Sequence, residues 1–145
     1  MEIFTGPNEE VVFKKYSPVG EMGVFAEQYA DVISRACMLP VLICDRDHVI
    51  AVAGESKKEF LEKRISPQLE KKMEDRQAVV ANGGQRLYAV EGKERPLGVM
   101  VPIISAGDLS GCVCLLCNER GDTPNESDQK LAQVAAAFLG KQMEE

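Results

Sequence analysis

Residues 39–75 read LPVLICDRDHVIAVAGESKKEFLEKRISPQLEKKMED, and the rest of the chain arranges itself around them. Val41-Leu42-Ile43-Cys44 and Val49-Ile50-Ala51-Val52-Ala53 are short, uncharged and rich in β-branched residues, as strands buried in a sheet require. Asp45-Arg46-Asp47-His48 between them has the polarity and length of a hairpin connection. Ser56 followed by Glu59 is a capping-box pattern, and the short helix it opens carries Phe60 and Leu61 inward. Ser66-Pro67 opens a second helix with Leu69 and Met73 inward and Val80 as a further inward candidate.

Toward the N-terminus, Ser17-Pro18 starts a longer helix. Met22, Phe25, Ala26, Tyr29, Ala30, Ile33 and Cys37 recur every three or four positions along it. Val24 and Val32 fall off that stripe and point to a second apolar face, and Pro40 ends the run. Before it, residues 2–5 and 10–16 surround Gly6-Pro7-Asn8-Glu9 and read as a hairpin. A lone hairpin is marginal in water, so a missing N-terminal partner segment is expected.

Toward the C-terminus, Asn82-Gly83-Gly84 breaks the chain, Arg86–Val90 reads as a short strand, and residues 91–96 as a polar turn. Leu97–Ile104 and Gly111–Cys117 are long apolar strands joined through Ser105–Asp108. Pro102 lacks an amide donor, so its strand must be kinked, bulged or free on one edge there. Thr123-Pro124-Asn125-Glu126 repeats the capping pattern, and the closing helix aligns Leu131, Val134, Ala135, Phe138 and Leu139 on one side.

This string predicts an α+β fold: an antiparallel sheet, the two terminal helices on one face and the middle helices on the other. That is the layout of a GAF/PAS-type sensor, a string of elements that other α+β folds share. At 145 residues and 45% hydrophobic, the chain suits one core. Net charge is −6 and the pI is near 4.9, which argues against a broad phosphate-gripping surface. No apolar run spans a membrane and no signal-peptide pattern opens the chain, so a cytoplasmic protein is expected. Five cysteines without paired spacing agree with a reducing compartment.

Chemistry is sparse. Cys112, Cys114 and Cys117 are read as small core hydrophobes, because a zinc site needs further cysteines or histidines and the chain has one His. His48 beside Asp45 and Asp47 reads as solvated turn surface. No nucleophile stands in a recognisable setting, and no catalytic residue, metal or cofactor is expected. Lys57, Lys58, Lys63, Arg64, Lys71, Lys72 and Arg76 alternate with six acids, as a solvated helix face does. The strongest functional signal is interaction surface. Met22, Phe25, Tyr29 and Ile33 on the first helix, with Leu131, Val134 and Phe138 on the last, exceed what a sheet face needs and predict pairing with a second copy, as a homodimer or tetramer.

LICDRDHVIAVAG, SKKEFLEKRIS, LEKKMEDR and AAAFLGKQME, in that order, resemble the stage V sporulation protein T family, transcriptional regulators of endospore-forming bacteria. The leading EIF…EEVVFKKYSP is similar to the segment joining that family's two domains. The resemblance implies residues 1–16 as the last hairpin of an AbrB-type swapped-hairpin domain and 17–145 as a GAF-like sensing and oligomerising domain. It implies DNA binding only through the N-terminal domain, whose basic DNA-contacting elements have no counterpart here. It also implies a cavity between the sheet and residues 56–80, for which Phe60, Leu69, Met73, Tyr88 and Met100 are the candidate lining and an unspecified small molecule the candidate ligand. Two other readings stay open: a free-standing GAF-type enzyme that reduces free methionine sulfoxide, whose cysteine motif is not visible here, and a ligandless scaffold.

Overall fold

The computed structural model describes residues 23–81, 86–93, 95–118, 120 and 122–143. The hairpin expected in residues 2–16, the Ser17-Pro18 helix start and Met22 lie outside them. The elements in chain order are α1 (Gly23–Cys37), β1 (Val41–Asp45), β2 (Val49–Ala53), α2 (Lys57–Phe60), α3 (Pro67–Glu74), β3 (Val79–Val80), β4 (Leu97–Ser105), β5 (Asp108–Leu116) and α4 (Glu126–Met143). The five strands form one antiparallel sheet in the order β2-β1-β5-β4-β3.

Alternation along the strands divides the core in two. Val41, Ile43, Val101, Ile103, Val113 and Leu115 face α1 and α4, meeting Ala26, Ala30, Ile33, Ala132, Ala136 and Leu139. Leu42, Cys44, Val52, Met100, Cys112, Cys114 and Leu116 face the other way, under Phe60, Ile65, Leu69 and Met73. Each fully buried Leu, Ile or Val contributes about 1.5–3 kcal/mol of transfer free energy, so both layers stabilise the sheet. The expected division of helices between the two faces holds.

Two hairpins show how turns are made. Between β1 and β2, one Asp45 carboxylate oxygen accepts the amides of Asp47 and His48, each at 2.7 Å. Between β4 and β5, Ala106 and Gly107 both take positive φ (51° and 86°), the backbone of a tight two-residue turn that follows strand twist. Among the described residues, Pro102 falls where β4 has no outer neighbour, because β3 pairs with Val99 and Met100.

Five local expectations are corrected. No strand forms at Arg86–Val90. The carbonyls of Leu87, Tyr88 and Ala89 instead accept from Leu97 N, Ser66 Oγ and Ser66 N, leaving them occupied outside any ladder. The third strand of that half is β3. In it Val80 is 51% exposed rather than inward. Ser56 caps α2 without its side chain, since this single turn closes through Glu59 N to the Ser56 carbonyl, and Leu61 is only half-buried. The last capping box sits two residues later than expected: Asn125 Oδ1 accepts Asp128 N and the Asp128 carboxylate accepts Asn125 N. Finally, α4 buries Ala132, Ala136, Leu139 and Gly140, with Leu131 and Ala135 at the border, so the expected single apolar side is split.

That split has a steric origin. A Cβ on Gly140 would collide with the Ile104 carbonyl, so the helix backbone lies directly on β4 at that point. Small residues face the sheet, and Val134 and Phe138 turn outward.

Candidate functional site

Three places gather side chains whose chemistry could matter. The first is the outer face of α1 and α4. Phe25 is 41% exposed, Val32 63%, Val134 65% and Phe138 46%. Tyr29, half-buried, stacks on Phe25 with centroids 5.4 Å apart and meets Phe138 edge-on at 5.3 Å, joining the two helices into one aromatic patch. Of the residues expected on this surface, Phe25, Tyr29, Val134 and Phe138 come together there. Leu131 is partly covered, and Ile33 points into the sheet core. Val32, three residues beyond Tyr29, is exposed on the same side of α1 and so widens the stripe instead of opening a second face.

The second place is the layer beneath α2 and α3. Phe60, Leu69, Met73 and Met100 are brought together, all at most 3% exposed, in one cluster. Tyr88 is half-buried outside that cluster, and its carbonyl accepts the Ser66 hydroxyl at 2.6 Å. Ser66 also caps α3 by accepting from Leu69 N at 3.0 Å. Arg95 and Glu55, both mostly buried, pair at 2.6 Å and tie the polar turn to the approach of α2.

This layer contains a sulfur cluster. Cys44 stands opposite Cys112 across β1 and β5, and Cys114 lies two residues on along the same face. All three are fully buried and their Sγ atoms lie within 4.8 Å of one another, Cys112 to Cys114 at 3.7 Å. Hydrogen bonds from the Cys112 and Cys44 thiols pull Cys114 down to about 5, against burial that pushes it up. Cys112 rises well above the usual thiol range, because its hydrogen bonding with Cys114 and Cys44 and its burial favour the neutral thiol. Cys44 is pulled down by Cys112 but pushed further up by Cys114 and burial, and also ends high. The three titrate as one unit. The CxC spacing was visible in the sequence; the arrival of Cys44 beside it needs the β1–β5 pairing.

The third is an open polar cleft of about 530 Å³ where the end of α1 meets the loop before α4. Cys37, Met38 and Leu39 form one wall, and Asn118, Arg120, Asp122 and Asp128 are among the other lining residues. Its polar groups already serve the loop: Asn118 Oδ1 accepts the amides of Arg120 and Asp122, and Asn118 Nδ2 donates to Asp122. That bond holds the Asp122 carboxyl below its ordinary value, while burial pushes the Cys37 thiol up. Asp45, Asp47 and His48 also cluster, on an exposed turn where Asp45 is engaged by backbone amides. The basic residues of α2 and α3 point to solvent, with Lys57 reaching Glu27 at 3.2 Å. Among the described residues, no helix is long and apolar enough to cross a membrane.

Comparison with known proteins places this arrangement. Stage V sporulation protein T of Bacillus subtilis (strain 168) is 40% identical over 147 residues, covering 100% of this chain and 82% of that protein. The cofactor-binding GAF domain of the nutrient sensor CodY from Clostridium difficile superposes with a TM-score of 0.60 at 14% identity, covering 81% of this chain and 83% of that one. The type II free methionine-R-sulfoxide reductase from Thermoplasma acidophilum superposes with a TM-score of 0.62 at 11% identity, covering 86% and 94%. At such identities the likeness is one of fold, and the fold is GAF-like. The sequence profile described as Stage V sporulation protein T C-terminal, transcription factor, matches residues 21–144. With a relative aligned along its whole length and that profile over nearly all of it, the chain belongs to the stage V sporulation protein T family and contains the regulatory GAF-like domain of a sporulation transcription factor.

Proposed function

We propose that this domain is the oligomerising and sensing part of a cytoplasmic DNA-binding regulator, and that a second copy docks across the outer face of α1 and α4. The observation that carries this reading is the patch of Phe25, Tyr29 and Phe138, flanked by Val32 and Val134. Aromatic side chains supply large contact area with few rotatable bonds, and interface cores are enriched in them. A contiguous apolar patch of this kind on a GAF-like domain favours a partner over bare solvent. DNA contact falls to a swapped-hairpin domain, of which residues 1–16 are the proposed last hairpin. No catalytic role is assigned. The reductase likeness is one of fold, and Cys44, Cys112 and Cys114 are closed to a substrate in solution.

Size-exclusion chromatography with light scattering tests the pairing. The expected mass at high micromolar concentration is that of a dimer or tetramer, and Val134→Lys is expected to reduce it. A wild-type profile that stays monomeric overturns the reading.

The ligand part of the proposal concerns the layer under α2 and α3. A small, partly apolar molecule would meet Phe60, Leu69, Met73 and Met100 there, with Tyr88 at the margin. A thermal-shift screen is expected to find a compound whose stabilisation is lost in Leu69→Ala. A screen in which every stabilising compound acts equally on that variant removes this site.

A further inference from the structure

The positions occupied by Cys44, Cys112 and Cys114 are fully buried sheet positions, and Leu42, Val52, Met100 and Leu116 share their layer. Valine would satisfy the strand and the packing at each of them. Three thiols instead converge on one spot, at the centre of the sheet, where β1 and β5 are each other's neighbours. Met100 stands opposite Cys114 on β4, which adds a thioether to the same buried layer.

We infer that Cys44, Cys112 and Cys114 form a three-coordinate Cu(I) site beneath α2 and α3. The geometry fits a trigonal thiolate centre, formed as the ion displaces the thiol protons to solvent. With metal–sulfur bonds of about 2.3 Å, three sulfurs around one ion lie roughly 4 Å apart. The observed sulfurs lie within 4.8 Å of one another, and the closest pair is at 3.7 Å, so little movement is needed. The donor set selects the ion. Structural Zn(II) takes four ligands, and among the described residues no imidazole or carboxylate joins these three sulfurs. Soft sulfur donors select Cu(I). Entry requires the cover to open. That cover is light: α2 is a single turn, and α3 has eight residues. The inference rests on the cysteine cluster and is independent of the pairing surface; it shares its layer with the proposed organic ligand, whose test uses Leu69 and not the cysteines.

The test is an anaerobic titration of the reduced 145-residue chain with Cu(I), supplied as its acetonitrile complex in competition with bicinchoninate. One Cu(I) per chain is expected to move from the chelator to the protein, with ultraviolet thiolate-to-copper absorption. Cys44→Ala, Cys112→Ala and Cys114→Ala are each expected to weaken binding by more than about tenfold, and Cys37→Ala and Cys117→Ala to leave it unchanged. Circular dichroism checks that each variant is folded. Complete loss of copper to the chelator overturns the inference. So does copper that depends on Cys37 or Cys117, or a site that prefers Zn(II) under the same competition.

Discussion

Ser66 shows how much one side chain can hold. It is 1% exposed, accepts from Leu69 N and donates to the Tyr88 carbonyl, while its own amide bonds to Ala89 O. Ser66→Ala removes a helix cap, costing about 1 kcal/mol, and orphans a carbonyl, costing about 1 more. Urea denaturation is expected to show a loss of roughly 2 kcal/mol with an unchanged slope. The Ser-Pro pair announced the cap, but nothing local announced the second bond, because its acceptor lies 22 residues away. Met73 offers a second test at this scale. It is 1% exposed in the layer under α3, so Met73→Ala is expected to cost about 2–5 kcal/mol in the same measurement.

Among the elements, the helices were legible and their rotation was not. Periodicity located α1, α3 and α4, but Leu131, Val134, Ala135, Phe138 and Leu139 do not share one environment. Gly140 decides which of them face out, because the helix can approach β4 only where it carries no Cβ. Gly140→Ala is expected to force α4 away from Ile104 and destabilise the domain by about 1–3 kcal/mol in thermal or urea unfolding. The end of α1 makes the opposite prediction. Met38 adopts φ 61° just after the helix, with its amide bonded to Ser34 O at 2.7 Å. Glycine reaches that conformation without the steric penalty, so Met38→Gly is expected to stabilise by up to about 1 kcal/mol. A lower urea midpoint in that variant would contradict it. β3 escaped the sequence reading because two residues carry no period.

At the scale of the whole molecule, the domain presents two unlike faces. One is a sheet layer closed by short helices over a sulfur cluster; the other is a helical face that leaves aromatic surface in solvent. If that surface is an interface, mass and stability should respond separately to substitution. Val134 is mostly exposed, so Val134→Lys should leave the unfolding of the isolated protomer within about 0.5 kcal/mol while reducing the light-scattering mass. A mass that stays dimeric in this variant assigns the contact to another surface.

The kinds of element and most of their order, the division of helices between the faces, and the family were all legible before folding. These depend on local signals: the short β-branched apolar runs 41–44 and 49–53, the 3.6-residue stripe of α1, and the Ser-Pro helix starts. Tertiary structure alone decided that Cys44 meets Cys112 and Cys114, that Ile33 is core while Val32 is surface, and that Leu87–Ala89 bonds to Ser66 and Leu97 instead of forming a strand. Each of these depends on which distant segments become neighbours and at what rotation. That is set by strand order and by the close approach of backbones, and a window of adjacent residues carries neither.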